Sequence, residues 1–297
     1  MDAKIRHGEM GLPVAPINGN ITPGVDVVGK VLMCGDAATV MYGISNGDTV
    51  ASLVGCGGNA KYINLDAAQL VRVPRGVAPI SASIVIESYL PAFQALMLKV
   101  PKEDRYNLSV LNGKKVLIFG GISTVGQALI ELSLLLGASQ VYTTAITKHH
   151  KLLASLGAIT VEFNPETWPQ DINEQIDIAV DPSNFVVDKK CLKAMKGEGK
   201  LVCFGRGITI DKFADPLTNS LSGFFHMKLL YNVFEEWMDN LEGSKSDLSY
   251  LFGLLKQHRI DPQLAGTLRL NKVSGAHTFI DGKRRIQGTF VCLPFAK

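Results

Sequence analysis

The stretch Lys115-Val-Leu-Ile-Phe-Gly-Gly-Ile-Ser-Thr-Val-Gly126 indicates the fold. A short apolar run ends at Phe119, and a helical pattern begins near Thr124, so the glycines lie in a strand-to-helix turn. Glycines in such a turn allow positive φ and let the backbone approach a phosphate, which the amides of a helix N-terminus attract. The stretch therefore predicts a dinucleotide-binding turn, with a plain tight turn as the alternative interpretation.

The glycine spacing departs from the GxGxxG pattern, because Ser123 stands where that pattern has its central glycine. Thr124 and Gln127 are three residues apart, as in a capping box, and we expect them to fix the start of the helix. The residues of this turn that we expect to contact a cofactor are Gly120, Gly121, Ser123, Thr124, Val125 and Gly126.

Strand and helix patterns alternate on the carboxyl side of this stretch, which predicts an α/β fold with a doubly wound parallel sheet of the Rossmann type. The predicted strands are Val116–Phe119, Gln140–Thr144, Ile159–Glu162, Ile176–Val180 and Lys200–Phe204. The predicted helices are one that runs to Gly137, then Lys148–Leu156, Val186–Lys196, Phe224–Asn240 and Asp247–Gln257.

The flanks of this region have β character. Glycines and β-branched residues occur in short runs before residue 75, a helical pattern interrupted at Pro91 follows, and the tail returns to strands. We therefore expect a β-rich domain of residues 1–95 that is completed by residues 264–297, and a dinucleotide-binding domain of residues 96–263. The predicted strands of the β-rich domain are Val25–Met33, Thr49–Val54, Ala60–Asn64, Gln69–Val73, Gly266–Leu270, Gly275–Phe279 and Gly288–Leu293.

The end of the second predicted strand favours NADPH over NADH. An NAD site places a carboxylate about 20 residues after the glycine turn, where it binds the ribose hydroxyls. Here Thr144 occupies this region, no acidic residue occurs between Glu131 and Glu162, and the basic run Lys148–Lys151 follows. We expect Thr144 and Lys148 to contact NADPH, because a lysine attracts its extra phosphate. A solvated first turn of a helix is the alternative interpretation of the basic run.

Two further residues end predicted strands at the edge where ligands bind in such sheets. Asp181 is expected to contact the ribose of the cofactor, with a helix cap as the alternative. Gly205 is expected to flank the nicotinamide with its backbone. The catalytic residues stay unknown: Tyr62 and Tyr89 are the candidate proton donors, and packing as ordinary aromatic residues is the alternative for both.

Composition excludes several classes of protein. The 297 residues carry a net charge of +3, which does not suggest a nucleic-acid surface. No uncharged apolar run reaches the length of a membrane span, and the five cysteines lack the paired spacing of a zinc site. The residues Met1–Met10 lack the apolar core of a signal peptide. We therefore expect a cytoplasmic protein without metal, or an organellar one if residues precede Met1.

The sequence resembles the zinc-independent quinone oxidoreductases of the medium-chain dehydrogenase/reductase superfamily. The resemblance implies a GroES-like β domain, a Rossmann domain, bound NADPH and, in relatives, a homodimer. Zinc-dependent relatives carry histidine where this sequence has Val25, and many members have threonine where it has Pro91. The resemblance is carried by Pro23–Val31, Asn46–Val50, Gly57–Ile63, Pro91–Leu96, Val116–Gly126, Leu156–Ala158, Gly199–Gly205 and His277–Pro294.

This resemblance implies NADPH-dependent reduction of an activated carbon–carbon double bond in a small molecule such as a quinone, an enone or an enoyl thioester. Family members have strands before the point where this sequence starts, so we expect a partly truncated β domain and weak turnover. The alternative is an NADPH-binding module without turnover that acts as a sensor or binds a partner.

Overall fold

A computed structural model gives the structure of residues 21–162, 172, 175–182, 194–204, 227–281 and 288–296. The chain divides into two compact units, one formed by Met1–Leu90 with Val233–Lys297 and the other by Pro91–Asn232. The domain bounds expected from the sequence stay a prediction.

The second unit contains a six-stranded sheet, whose strands are β4 (Lys115–Ile118), β5 (Gln140–Ala145), β6 (Ile159–Glu162), β7 (Ile176–Asp181), β8 (Met195–Phe204) and β9 (Met227–Tyr231). They lie in the order β6-β5-β4-β7-β8-β9, and every neighbouring pair of strands is parallel. The chain moves outward from β4 to β6 and then returns to the other side of β4, which is the doubly wound arrangement. The predicted Rossmann fold is therefore confirmed.

The central strands of this sheet are apolar because helices cover both faces of a parallel sheet and bury its side chains. Val116, Leu117 and Ile118 of β4 have no exposed side-chain area. The helix Thr124–Leu135 follows β4, and the helix His150–Ser155 follows β5. This packing holds the carboxyl ends of β4 and β5 side by side.

Two helices expected from the sequence are wrong in part. Within Phe224–Asn240, Met227–Tyr231 forms β9, and only Val233–Asp239 is helical, while residues 224–226 lie outside the described part of the chain. Met195 and Lys196 belong to β8 rather than to the helix expected over Val186–Lys196, of which 186–193 also lie outside that part. A short apolar run such as that of β9 suits a strand and a helix equally, so periodicity alone could not decide.

The first unit has an antiparallel sheet in the order β1-β2-β3 and a parallel pair, β10 and β11. The expected strand Ala60–Asn64 is wrong, since those residues form no regular element. The expected strand Gly275–Phe279 is also wrong, because it lies in a helix in which Val273, Ala276 and Ile280 repeat at a helical spacing. The strands are β1 (Asp26–Lys30), β2 (Thr49–Leu53), β3 (Val71–Arg72), β10 (Leu264–Arg269) and β11 (Thr289–Leu293). Among the described residues of this unit, the α-helices besides Pro79–Met97 are Asp36–Tyr42, Val233–Asp239, Leu241–Lys256 and Val273–Asp281.

Pro91 does not interrupt the helical stretch Pro79–Met97, which differs from the expectation. The segment Val85–Tyr89 is a π-helical turn, in which the amide of Leu90 donates to the carbonyl of Val85. This wide turn directly precedes Pro91, whose ring and missing amide an α-helix does not accommodate without a local change. Among the described residues, this stretch alone has the length and hydropathy to cross a membrane, and 78% of its most apolar window is buried within the protein.

Candidate functional site

The turn after β4 has the conformation that its glycines predict. Gly120 has a φ of +70°, a region that residues with a Cβ rarely adopt. The amide of Ser123 donates to the carbonyl of Gly120 at 3.1 Å, which closes the turn. The helix then begins at Thr124. The predicted strand-to-helix turn is thus present at the carboxyl end of the central strand.

Ser123 caps this helix, so the capping box expected from Thr124 and Gln127 is wrong. The Oγ of Ser123 accepts a 3.0 Å hydrogen bond from the amide of Gly126 and donates to the carbonyl of Gly120. The side-chain amide of Gln127 donates to the carbonyl of Ile122 instead of reaching the cap. The serine at the position of the missing glycine therefore has a defined task, which is to start the helix.

Two of the glycines are required by close contacts. A Cβ on Gly126 would lie 2.6 Å from the carbonyl oxygen of Gly120, and one on Gly121 would lie 2.1 Å from Oγ1 of Thr143. Neither neighbour can move freely, because the first is backbone and the second is in a fully buried side chain. Such close packing of helix against strand is one use of glycine in dinucleotide-binding turns.

The turn is fastened to β5 by threonines. The amide of Gly120 donates a 2.9 Å hydrogen bond to Oγ1 of Thr144, and the hydroxyl of Thr143 donates to the carbonyl of Ile118. Both threonine side chains are buried. Thr144, which the sequence predicts as a cofactor contact, thus lies at the turn and holds it in place through its hydroxyl.

The start of the helix Thr124–Leu135 fits a pyrophosphate. The first amides of any helix have no acceptor within the helix, and the helix dipole makes this end positive. Ser123 takes the amide of Gly126, whereas those of Thr124 and Val125 have no acceptor among the described residues. The first helical turn has no acidic residue. An anion at this position would gain two amide donors and meet no like charge in that turn.

The segment after β5 that includes the basic run contacts a carboxylate, that of Glu162, which the sequence did not predict as part of the site. Lys148 is exposed in the short 3₁₀ helix Thr147–His149. The hydroxyl of Thr147 donates to Oε2 of Glu162 at 2.9 Å, and Nε2 of His150 lies 3.5 Å from the same oxygen. Glu162 ends β6 beside Ala145 of β5. The distance of Glu162 from Thr144 along the sequence does not indicate this contact. The parallel pairing of β5 with β6 could have indicated it, because it brings the ends of the two strands together.

The other two predicted cofactor residues follow β7 and β8. Asp181 is the last residue of β7 and is buried. Its neighbour across the sheet is Cys203 of β8, one residue before the end of that strand. Gly205 lies outside the described part of the chain. The structure thus brings Asp181 to the same edge of the sheet as the glycine turn.

An aromatic pair at this edge was also missed. The rings of Phe204 and Tyr231 are 4.8 Å apart between centroids. The hydroxyl of Tyr231 donates a 2.7 Å hydrogen bond to Oε1 of Gln94, and both of these side chains are buried. Tyr231 ends β9, which the sequence predicted as a helix, so no signal pointed to this contact.

Lys200 links β8 to the end of the helix Leu90–Met97. Its Nζ donates to the carbonyls of Leu96 and Leu98 at 2.8 and 2.9 Å, and burial lowers the pKa of its ammonium group to about 8. The carbonyls at a helix C-terminus attract a cation. This contact therefore supports the position of Gln94 on the same helix.

The two candidate proton donors lie in the first unit. Tyr89 is packed in the core with 4% of its area exposed. Tyr62 is exposed and contacts Phe295 edge to face, with the ring centroids 5.6 Å apart. Neither contact assigns a proton donor. In the parts of the chain that the structure describes, no group of three or more His, Cys, Asp or Glu side chains could hold a metal.

A parallel sheet with this strand order and a glycine turn after its central strand defines a Rossmann fold. No protein-family model matches the sequence. A chloroplastic NADPH-dependent alkenal/one oxidoreductase of Arabidopsis thaliana is 26% identical over 231 residues, which are 74% of this chain and 55% of the relative. The chain thus spans about half the length of that curated relative.

Solved structures show the same fold. The quinone oxidoreductase of Coxiella burnetii matches with a TM-score of 0.71 at 21% identity, over 93% of this chain and 80% of its own. A mycobacterial protein solved with NADPH matches with a TM-score of 0.76 at 21% identity, over 99% of this chain and 87% of its own. The resemblance to quinone oxidoreductases, with a Rossmann and a GroES-like domain, is therefore confirmed at the level of the fold.

Proposed function

We propose that this chain is an NADPH-dependent oxidoreductase that reduces an activated carbon–carbon double bond by hydride transfer. The observation that carries the proposal is the glycine turn after β4, where Ser123 caps a helix whose first two amides have no acceptor among the described residues. The name of the Arabidopsis relative supports both the cofactor and a conjugated double bond as the target.

The cofactor would be held by the residues that the sequence predicts. Gly120, Gly121 and the amides of Thr124 and Val125 would bind the pyrophosphate, while Ser123, Gly126 and Thr144 shape the turn. At the next strand, Asp181 would bind a ribose. Gly205 stays a prediction for the nicotinamide. Lys148 would attract the extra phosphate of NADPH.

NADPH would supply a hydride when bound, and the protein would supply the position of the reacting groups. Hydride addition to the β carbon of an enone places negative charge on the carbonyl oxygen, and a proton at the α carbon completes the reduction. No described side chain is assigned as the acid, so we propose water as the proton source. The buried contact of Tyr231 with Gln94 would keep the carboxyl ends of β8 and β9 fixed beside the reacting ring.

The partner and the location also belong to this proposal. A small-molecule substrate follows from the reaction, and a homodimer follows from the family resemblance. A place in the cytoplasm, or in an organelle such as the one in the name of the Arabidopsis relative, is compatible with the fold.

The test is a titration of the purified chain with NADPH and NADH, followed by turnover assays with enones, alkenals and quinones. The proposal expects saturable NADPH binding and loss of the reduced nicotinamide absorbance only when a conjugated acceptor is present. Binding without turnover for every acceptor would favour the alternative of a non-catalytic module. Absence of binding to both cofactors would overturn the proposal.

A further inference from the structure

A carboxylate lies beside the turn that would receive the extra phosphate of NADPH. Glu162 ends β6, and its Cα partner in the sheet is Ala145, the last residue of β5. In doubly wound sheets the ribose next to the adenine lies beyond the end of the strand that follows the central one, which is β5 here. A carboxylate therefore lies beside the end of β5, on the neighbouring strand rather than on β5 itself.

The carboxylate of Glu162 is held in a defined position. Its Oε2 accepts the hydroxyl hydrogen bond of Thr147 at 2.9 Å and lies 3.5 Å from Nε2 of His150. Nε2 of His150 also lies 3.0 Å from the carbonyl oxygen of Ala145. These contacts join the end of β6 to both ends of the segment that carries Lys148.

The side chain of Glu162 remains accessible to a ligand. It is 42% exposed, and that of His150 is 27% exposed. A ribose hydroxyl can donate to such a carboxylate, whereas a ribose phosphate is repelled by it and attracted by Lys148. Lys148 would therefore favour NADPH, and the neighbouring Glu162 would favour NADH.

We infer that Glu162 is a specificity-determining residue that weakens the preference for NADPH which the basic residues create. The inference rests on the proposed function, because it assumes that the cofactor binds at the glycine turn. Neutralising Glu162 then strengthens NADPH binding without the same gain for NADH.

The experiment compares dissociation constants for NADPH and NADH in the wild type, Glu162→Gln and Glu162→Lys. Glutamine keeps an oxygen that accepts from Thr147 and removes only the charge. The ratio of NADH to NADPH dissociation constants is expected to rise by about 3- to 10-fold in Glu162→Gln, for like charges a few ångströms apart near water. It is expected to rise further in Glu162→Lys.

Glu198→Gln is the matched control, because Glu198 is exposed near the amino end of β8, at the opposite edge of the same sheet. Its ratio is expected to stay at the wild-type value. A melting temperature without cofactor, measured for every variant, separates changes in binding from loss of fold.

The titrations separate failure of the inference about Glu162 from failure of the proposed function. Wild-type binding with an unchanged ratio in both Glu162 variants would overturn the inference alone. Absence of binding to both cofactors in the wild type would overturn the proposed function and this inference with it. A rising ratio in the order Glu, Gln, Lys would support both.

Discussion

The backbone amide of Gly120 donates a 2.9 Å hydrogen bond to the buried Oγ1 of Thr144. The bond joins the turn after β4 to the carboxyl end of β5. It ties together the glycine turn, which the sequence predicts for the pyrophosphate, and the strand end that it predicts for the extra phosphate of NADPH. The shape of the turn thus depends on a side chain from the next strand as well as on its own glycines.

Replacing Thr144 by valine tests this link. Valine keeps the shape of the side chain and leaves the amide of Gly120 without this acceptor, which typically costs about 1–3 kcal/mol. We expect a lower free energy of unfolding in urea and several-fold weaker NADPH binding. Thr267→Val is the control, since Thr267 is exposed on β10 in the other unit. Unchanged cofactor affinity in Thr144→Val would show that the bond does not shape the site.

Gly126→Ala is expected to disrupt the turn. The added Cβ would lie 2.6 Å from the carbonyl oxygen of Gly120, so the helix must move away from the strand. We expect reduced stability and loss of NADPH binding in thermal melts with and without cofactor. Gly253→Ala is the matched control, because a Cβ there meets nothing within 4 Å inside the helix Leu241–Lys256. Alanine should stabilise that helix by about 0.5–1 kcal/mol.

Lys148→Glu is expected to weaken NADPH binding far more than NADH binding. The lysine is exposed in the segment that would meet the extra phosphate. Loss of a contact with a charged group typically costs about 1.5–3 kcal/mol, and the new carboxylate adds repulsion. Calorimetric titration with both cofactors measures the difference, and Lys272→Glu on the other unit is the control. Equal losses for NADPH and NADH would place the phosphate elsewhere.

The parallel sheet could be predicted from the sequence, because its strands alternate with helices along the chain. The strands from Lys115 to Phe204 follow apolar runs that alternate with helices, and they form the expected parallel sheet. The β9 strand could not be predicted, because its five residues suit either regular structure and pairing with β8 decides. The π-helical turn before Pro91 also depends on tertiary packing.

The predictable part of the site is the glycine turn, since the requirements of a tight backbone are local. The contacts of Glu162 could not be predicted from spacing, because they arise from two strands that meet across the sheet. The same holds for Tyr231 and Gln94, which are 137 residues apart in the chain. Residues brought together by topology leave no signal in the local sequence.

Stability is expected to depend on pH through Lys200. Burial lowers the pKa of this lysine to about 8 from an ordinary value of 10.5. Between these values the unfolded chain binds the proton and the folded chain does not, so stability rises with pH across this window. The rise should appear as a growing difference in the free energy of unfolding between the wild type and Lys200→Met, measured in urea. A difference that stays constant from about pH 8 to 10.5 would contradict the effect of burial on Lys200.

The proposed hydride transfer from NADPH to a conjugated double bond can be followed with an isotope label. The chain is incubated with an enone and with NADPH that carries deuterium at both hydrogen positions of C4 of its nicotinamide. Mass spectrometry and NMR of the product then locate the label. We expect a saturated ketone that carries one deuterium on the former β carbon and a proton from water on the α carbon. An allylic alcohol with deuterium on the carbonyl carbon, or an unlabelled product, would contradict it.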